Sequence, residues 1–479
     1  MTTTTERHAR HQEFGSLYHP HHPMTTTTER HARHQMPESL YHPDRPMTTT
    51  TEPPLATWRR GTEWAVAALY LLLLLLPPLP LRGQLQLQDA LLPAMGLLTL
   101  TRGESPVALM RRWWPLWLFL LLAAAATLLH GALVPHVWYE WLVFVYMAVL
   151  FLFYAGLPLP GRLCGGLAAA LLVAIHAAVL LELLLPTAGP FSFVSPQMDA
   201  TAMPLLARRF AFTQGNPNLF GTLYAIPCAL AARWAALSPP VSPRRRLAVL
   251  AVLPLLLTPL AWSASKHGLL SLALLLATAI QLLPTGVWRR AALAAALAAL
   301  LVLAAVFETT VRCVTFPLNG PHGLLNTQTG MYALHQDTYA RMLLAQPHAW
   351  LLGLGPDAIR RDYPTYADPE TTRDTLATYN ALASYRDFIT FMDPHNEFLN
   401  LATLFGLPAL LAAIAGWLIF PTRVPPPLRT AALLLALAVL ACCLWDDLLS
   451  KRHLWLATAI LAAPIPPKRQ PQTQPTPFP

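Results

Sequence analysis

The sequence predicts an all-α polytopic membrane protein of about twelve transmembrane helices, with one large extracytoplasmic helical loop between the ninth and the tenth. Three observations carry that prediction. Hydrophobic residues make up 54% of the 479 and charged residues only 12%, with a mean hydropathy of +0.42, whereas a soluble domain carries roughly 25% charge. Apolar runs recur along the chain at lengths near the ~20 residues that a helix needs to cross hydrocarbon. One long polar stretch interrupts them, at residues 308–394, and it has helix-like patterning of its own.

Taken in order, residues 1–58 form a tail. MTTTTERHARHQ begins at Met1 and again at Met24, and MTTTTE begins a third time at Met47. A stretch rich in Thr, His, Arg and Pro cannot bury a core, so it is expected to be disordered, and no function is attached to it. The start codon stays open among Met1, Met24 and Met47. The first apolar run begins near Trp64 and is followed by others of the same kind, which makes it a first span rather than a cleaved signal.

Spans one to nine occupy residues 59–307, with apolar runs at about 64–80, 86–101, 114–134, 137–157, 164–186, 218–237, 247–262, 268–284 and 291–307. Spans ten to twelve occupy 395–467, with runs at 397–420, 429–446 and 452–466, and residues 468–479 form a second tail. Orientation follows from the short connections. If the first tail is cytoplasmic, sixteen Lys and Arg fall on the inner side, and six fall outside: Arg82, Arg208, Arg209, Lys266, Lys451 and Arg452. The bias of positive residues to the cytoplasmic side therefore places both termini inside and residues 308–394 outside. Within that loop, 328–346 and 374–392 read as amphipathic helices carrying Arg341 and Arg386.

Composition also excludes some classes. The net charge of +9 comes from short basic clusters between apolar runs, not from a basic patch interleaved with aromatics, so no nucleic-acid partner is expected. Of five cysteines, only Cys313 falls in a long polar segment, and neither a disulfide framework nor a thiol metal site follows. Membrane lipids are the partners that composition itself implies.

Cations on the outer side run against the topological bias and need a reason. Arg208 and Arg209 precede FAFTQGNPNLFG, in which Gly215, Asn216 and Pro217 break the chain and Asn218 can cap the sixth span. A helix N-terminus beside arginines favours phosphate, although interfacial arginines also snorkel to headgroups. Lys266 lies in WSASKHGLLSL at the outer mouth of the eighth span, where a lone lysine is otherwise an anchor. In the loop, RMLLAQPHAWLLGLGPDAIRRDYP joins Arg341 to a tight break at Gly353, Gly355 and Pro356, where glycine lets backbone approach a ligand closely. MDPHNEFLNLATLFGLPALL places His395 and Asn396 immediately before the tenth span. A histidine there can remove a proton from a hydroxyl near neutral pH, or simply cap the helix. His322, His335 and His348 have no comparable setting, and Asp446 and Asp447 stand apart, available to Lys451 and Arg452. The outer loops hold no evident cluster of divalent-metal ligands.

NPNLFG, SASKHGLLSL, PHAWLLGLGPDAI and DPHNEFLNLATLFGLPALL follow one another in an order that resembles the O-antigen ligase and polymerase superfamily of membrane glycosyltransferases. The resemblance covers about residues 208–419. It implies a GT-C-like helical fold in the bacterial inner membrane and an active site under the large periplasmic loop. The implied donor is an undecaprenyl-diphosphate-linked glycan and the implied acceptor a sugar of the lipid A core, with inversion at the anomeric carbon and neither metal nor nucleotide cofactor. Carried over, His395 is the general base and Arg341 and Lys266 neutralise the diphosphate, helped by Arg209 and Arg208, with Asn396, Asn218 and Gly355 in support. The superfamily has arginine where this chain has Lys266, and lysine lacks the bidentate fork. A polymerase and a protein oligosaccharyltransferase of the same superfamily are alternatives, and so is a twelve-span transporter, which the unlike halves of the chain disfavour.

Overall fold

Helices form where the apolar runs lie, because in hydrocarbon a segment must satisfy its own backbone N–H and C=O groups. A computed structural model describes residues 54–77, 86–102, 106–131, 137–184, 194–196, 208–214, 216–238, 242–284, 286–313, 328–367 and 393–466. The repetitive tail up to residue 53 and the expected loop helix at 374–392 lie outside the described residues. The helices are α1 (Pro54–Leu73), α2 (Leu92–Leu100), α3 (Pro106–Arg112), α4 (Trp114–Gly131), α5 (Trp138–Ala155) and α6 (Gly161–Leu184), then α7 (Pro217–Leu237), α8 (Pro243–Leu256), α9 (Thr258–Ser263), α10 (Gly268–Leu282) and α11 (Val287–Cys313). The loop contributes α12 (Gln328–Ala345), α13 (Ala349–Leu352) and α14 (Ala358–Tyr366), and α15 (Glu397–Arg423), α16 (Arg429–Cys442) and α17 (Arg452–Ala462) complete the bundle.

Seven of the helical segments are long and apolar enough to cross a membrane: α4, α5, α6, α7, the joined α8 and α9 from Arg246 to Ser263, α11 and α15. The apolar helices Leu87–Leu100, Gly268–Leu282 and Pro426–Cys442 are shorter, and α17 has 11 residues. Shortness has a cause in sequence. The start of α10 and the end of α16 meet SASKHG and WDDLLSK, where polar side chains turn the chain before a full-length span is complete.

One element was not expected. Between α6 and α7, β1 (Val194–Pro196) and β2 (Arg208–Phe210) pair antiparallel, with Ser195 opposite Arg209. Phe210 continues from that ribbon to a fully buried position, stacked on the half-buried Trp262 and edge-on to the buried Phe220.

Helix α7 is the centre of the core, packed by α6, α10 and α17. Its Phe220, Tyr224 and Arg233 are fully buried. Arg233 donates from Nε and Nη2 to the Leu159 carbonyl (3.1 and 3.0 Å). It also donates to the carbonyls of Ile460 (3.1 Å), Ala463 (2.7 Å) and Pro464 (2.6 Å). The guanidinium thus closes the C-terminal end of α17, where the unsatisfied carbonyls carry partial negative charge.

Helix α15 is broken at Gly406, whose φ of 85° lies in the left-handed region that favours glycine. Pro408 follows and has no N–H for the Leu404 carbonyl, while the Gly406 break takes the next amide away from Thr403. The large loop fills both vacancies: Leu354 N–H donates to Thr403 O (2.7 Å) and Gly355 N–H to Leu404 O (3.1 Å). A Cβ on Gly353 or Gly406 would overlap the facing backbone. GLGP and FGLP are therefore two halves of one joint, and Gly355 leaves room for the His130 side chain, which a Cβ there would strike.

Candidate functional site

Three segments converge at the end of the bundle where α15 begins: the turn after α9, the chain before α15, and the hairpin joining α16 to α17. Ser263 ends α9, Ala264 takes a left-handed φ of 44°, and Ser265 O accepts from Gly268 N–H (2.9 Å) to close the turn. Gly221 on α7 lets this turn lie flush, since a side chain there would strike Ser265. Asn216, not Asn218, is the N-cap of α7, its Oδ1 accepting from Asn218 N–H at 2.8 Å. Asn218 works on the turn instead: its carbonyl lies 2.9 Å from His267 Nδ1, and its Oδ1 accepts from the Ser265 hydroxyl at 3.4 Å.

Before α15, Asn396 is the cap, accepting from Leu399 N–H at 3.0 Å. His395 is therefore not needed for capping. It has a φ of 47°, an uncommon conformation for a non-glycine residue, held by its own N–H donating to Asp393 Oδ1 at 2.8 Å.

Asp446 joins these parts. Its Oδ2 lies 2.7 Å from Lys266 Nζ and 3.1 Å from His267 Nε2, and its Oδ1 lies 3.4 Å from His395 Nδ1 and accepts from Asp447 N–H at 2.9 Å. The Lys266 ammonium also donates to Trp445 O at 2.6 Å. His267 is fully buried, and the side chains of Asp446 and Lys266 are 6% and 10% exposed, while His395 keeps 24%. Nδ1 of His395 faces the carboxylate, an arrangement in which a proton on Nδ1 would leave Nε2 as the basic nitrogen. Beside this group Asp447 pairs with Lys451 at 2.7 Å, and Arg452 pairs with Asp89 rather than with either aspartate.

Ligating atoms of Asp393, His395 and Asp446 lie within 4.8 Å of one another. That trio is a poor cation cage. Lys266 already neutralises Asp446, and burial together with the nearby Asp447 and Asp446 pushes the Asp393 carboxyl well above the usual carboxylate range.

The remaining expected residues go elsewhere. Arg209 donates from Nε to Ser263 O (2.7 Å) and from Nη2 to Ala264 O (2.9 Å), so it braces the turn that carries Lys266. Arg208 lies in β2 opposite Pro196. Arg341 is half-exposed on α12 and pairs with Asp337 one turn earlier at 2.7 Å, whereas the buried side of that helix carries Tyr339 and Met342. From α12 it is His335 and Gln336 that reach this region. Gln336 Nε2 donates to Pro394 O at 3.1 Å, and buried His335 has Nδ1 2.6 Å from the Tyr363 hydroxyl.

His335 makes a testable statement about pH. Burial, with the neighbouring charge of His395, lowers its pKa to about 4. A histidine so lowered adds stability in full above its ordinary value of 6.5, and that stability is lost as pH falls from there toward 4. The shift corresponds to a few kcal/mol at most, on the order of 1.4 kcal/mol per unit. Protection of residues 335–343 from hydrogen exchange, taken relative to the intrinsic rate at each pH, is therefore expected to fall between pH 6.5 and 4, and protection that stays flat in His335→Gln identifies the group responsible.

Asp446, His267 and His335 are what sequence reasoning passed over. A signal existed for the first: an Asp-Asp pair between two apolar runs is costly in a membrane bundle, and an ionisable residue there marks function by default. His267 and His335 carry no such mark, because their role depends on which helices meet. Among known proteins, no family model and no curated protein matches the chain.

Proposed function

We propose that this chain is an O-antigen ligase: a metal-independent, inverting membrane glycosyltransferase that moves a glycan from undecaprenyl diphosphate to a sugar of the lipid A core. The observation that carries the reading is the single carboxylate of Asp446, which ties Lys266 to His395 across 129 positions of sequence. Segments that resemble one family's motifs gather around one histidine held against that carboxylate. In the bilayer this reading takes twelve spans in a GT-C-like arrangement, both termini cytoplasmic and the site facing the periplasm.

The chemistry follows from the groups present. The acceptor hydroxyl gives its proton to His395 Nε2 as its oxygen bonds to the anomeric carbon. On the opposite face the bond from that carbon to the diphosphate oxygen breaks, and undecaprenyl diphosphate leaves with both electrons. Asp446 holds the imidazole and stabilises the imidazolium that forms. The growing negative charge is met by Lys266. Arg341 stands outside this cluster in the structure, and its proposed part requires that it leave its surface pair with Asp337, worth only ~0.3–0.5 kcal/mol, and swing to the phosphate.

In a strain without its own ligase, the chain is expected to restore ladder-like capped lipopolysaccharide, and His395→Ala is expected to remove it at unchanged membrane abundance. Capping that survives His395→Ala sinks the proposal. A polymerase would instead lengthen chains and leave single-repeat capping in its absence.

A further inference from the structure

Away from the Asp446 carboxylate, α4, α15 and α17 frame a narrow groove, open along one side. Its walls are aromatic and aliphatic, with Phe119 on α4, Trp417 and Phe420 on α15, and Trp455 on α17. The two charged lining residues, Arg112 and Arg423, belong to the end of α15 farthest from Asp446. Arg112 donates to Ala462 O at 3.3 Å, and Arg423 is exposed. At Gly416 the α15 backbone is laid bare to the groove; a Cβ added there makes only an ordinary 3.7 Å contact with Pro115.

A dry slot between membrane-crossing helices, with cations at one end only, matches a molecule with an apolar chain and an anionic head. We infer that this groove binds one acyl chain of an anionic glycerophospholipid, with the phosphate held by Arg423 and Arg112. The chain lies against Gly416 and the tryptophans, where a longer side chain would take its place. A zwitterionic lipid fills the same slot less well, because its choline opposes the two guanidiniums. A lipid seated there also ties α15, which carries His395 at its other end, to α4 and α17.

The test is native mass spectrometry of the full chain in detergent, titrated with phosphatidylglycerol and phosphatidylcholine of identical chains. One phosphatidylglycerol is expected to be retained with at least about tenfold preference. Arg423→Gln should bring that preference down severalfold while leaving chain binding, and Gly416→Leu should abolish retention of both lipids. Should Gly416→Leu lower the unfolding midpoint, Ala413→Phe, on the same wall, serves instead. Equal retention of the two lipids by the unaltered protein overturns the inference, and so does retention unchanged in the groove-filling variant. Displacement of phosphatidylglycerol by undecaprenyl phosphate at equal concentration would also overturn it, in favour of a prenyl occupant.

Discussion

Asp446→Asn is expected to lower glycan transfer by at least about 10²-fold, the largest effect on activity of any single substitution outside His395 itself. The asparagine keeps the shape of the side chain and loses its charge. Lys266, 10% exposed, then keeps a buried ammonium without its carboxylate, and His395 loses the carboxylate that its Nδ1 faces. Breaking a buried pair by removing one partner costs about 3–5 kcal/mol, so loss of fold has to be separated from loss of chemistry. The double variant Asp446→Asn with Lys266→Met removes both charges and should regain abundance without regaining transfer. Transfer within a few-fold of the unaltered protein in Asp446→Asn would refute the role given to this carboxylate.

The second large effect concerns stability. Arg233→Leu should lower it by about 3–5 kcal/mol, because four carbonyls, of Leu159, Ile460, Ala463 and Pro464, lose their donor at a fully buried position. In lipid no water replaces that donor, and an unsatisfied buried acceptor costs ~1–3 kcal/mol on its own. Arg233→Lys keeps the charge but gives up the planar fork, so it should fall between the two. The readout is the thermal unfolding midpoint in detergent together with membrane abundance. A midpoint unchanged in Arg233→Leu would mean that the end of α17 is held by other means.

Much of this architecture was legible in the chain. A helix answers each apolar run because hydrophobic length and backbone satisfaction leave no other solution, and α12 begins at Gln328, as the amphipathic pattern indicates. What the pattern could not give was depth and direction. Apolar runs of 15 to 18 residues read as spans, yet α10 and α16 have only 15 and 14 residues, because α10 starts after the turn carrying Lys266 and His267 and α16 gives way at Cys443 to the turn carrying Asp446. Lys266 and His395 could be named from their motifs. That Asp446 links them could not, since His395 and Asp446 stand 51 positions apart with two α-helices between them. Arg209 illustrates the converse: its charge suggested a ligand, and the structure gives it two backbone carbonyls. GLGP looked like a ligand-facing turn, and only the absent amide of Pro408 shows why its N–H groups point at α15.

The short central helices change what the protein does to its bilayer. At 1.5 Å per residue, α10, α16 and α17 rise about 22, 21 and 16 Å, against a hydrocarbon layer ~30 Å thick. Their polar ends are thus sunk most of a turn or more beneath the boundary on that side, and the lipid must thin or admit water to meet them. Charges in such a dimple feel a weaker dielectric shield than at the surface, so under the proposed function attraction between Lys266 and an incoming phosphate is stronger per unit charge. A lipid-borne headgroup can then reach the cations by sinking slightly, without drawing its long tail into water.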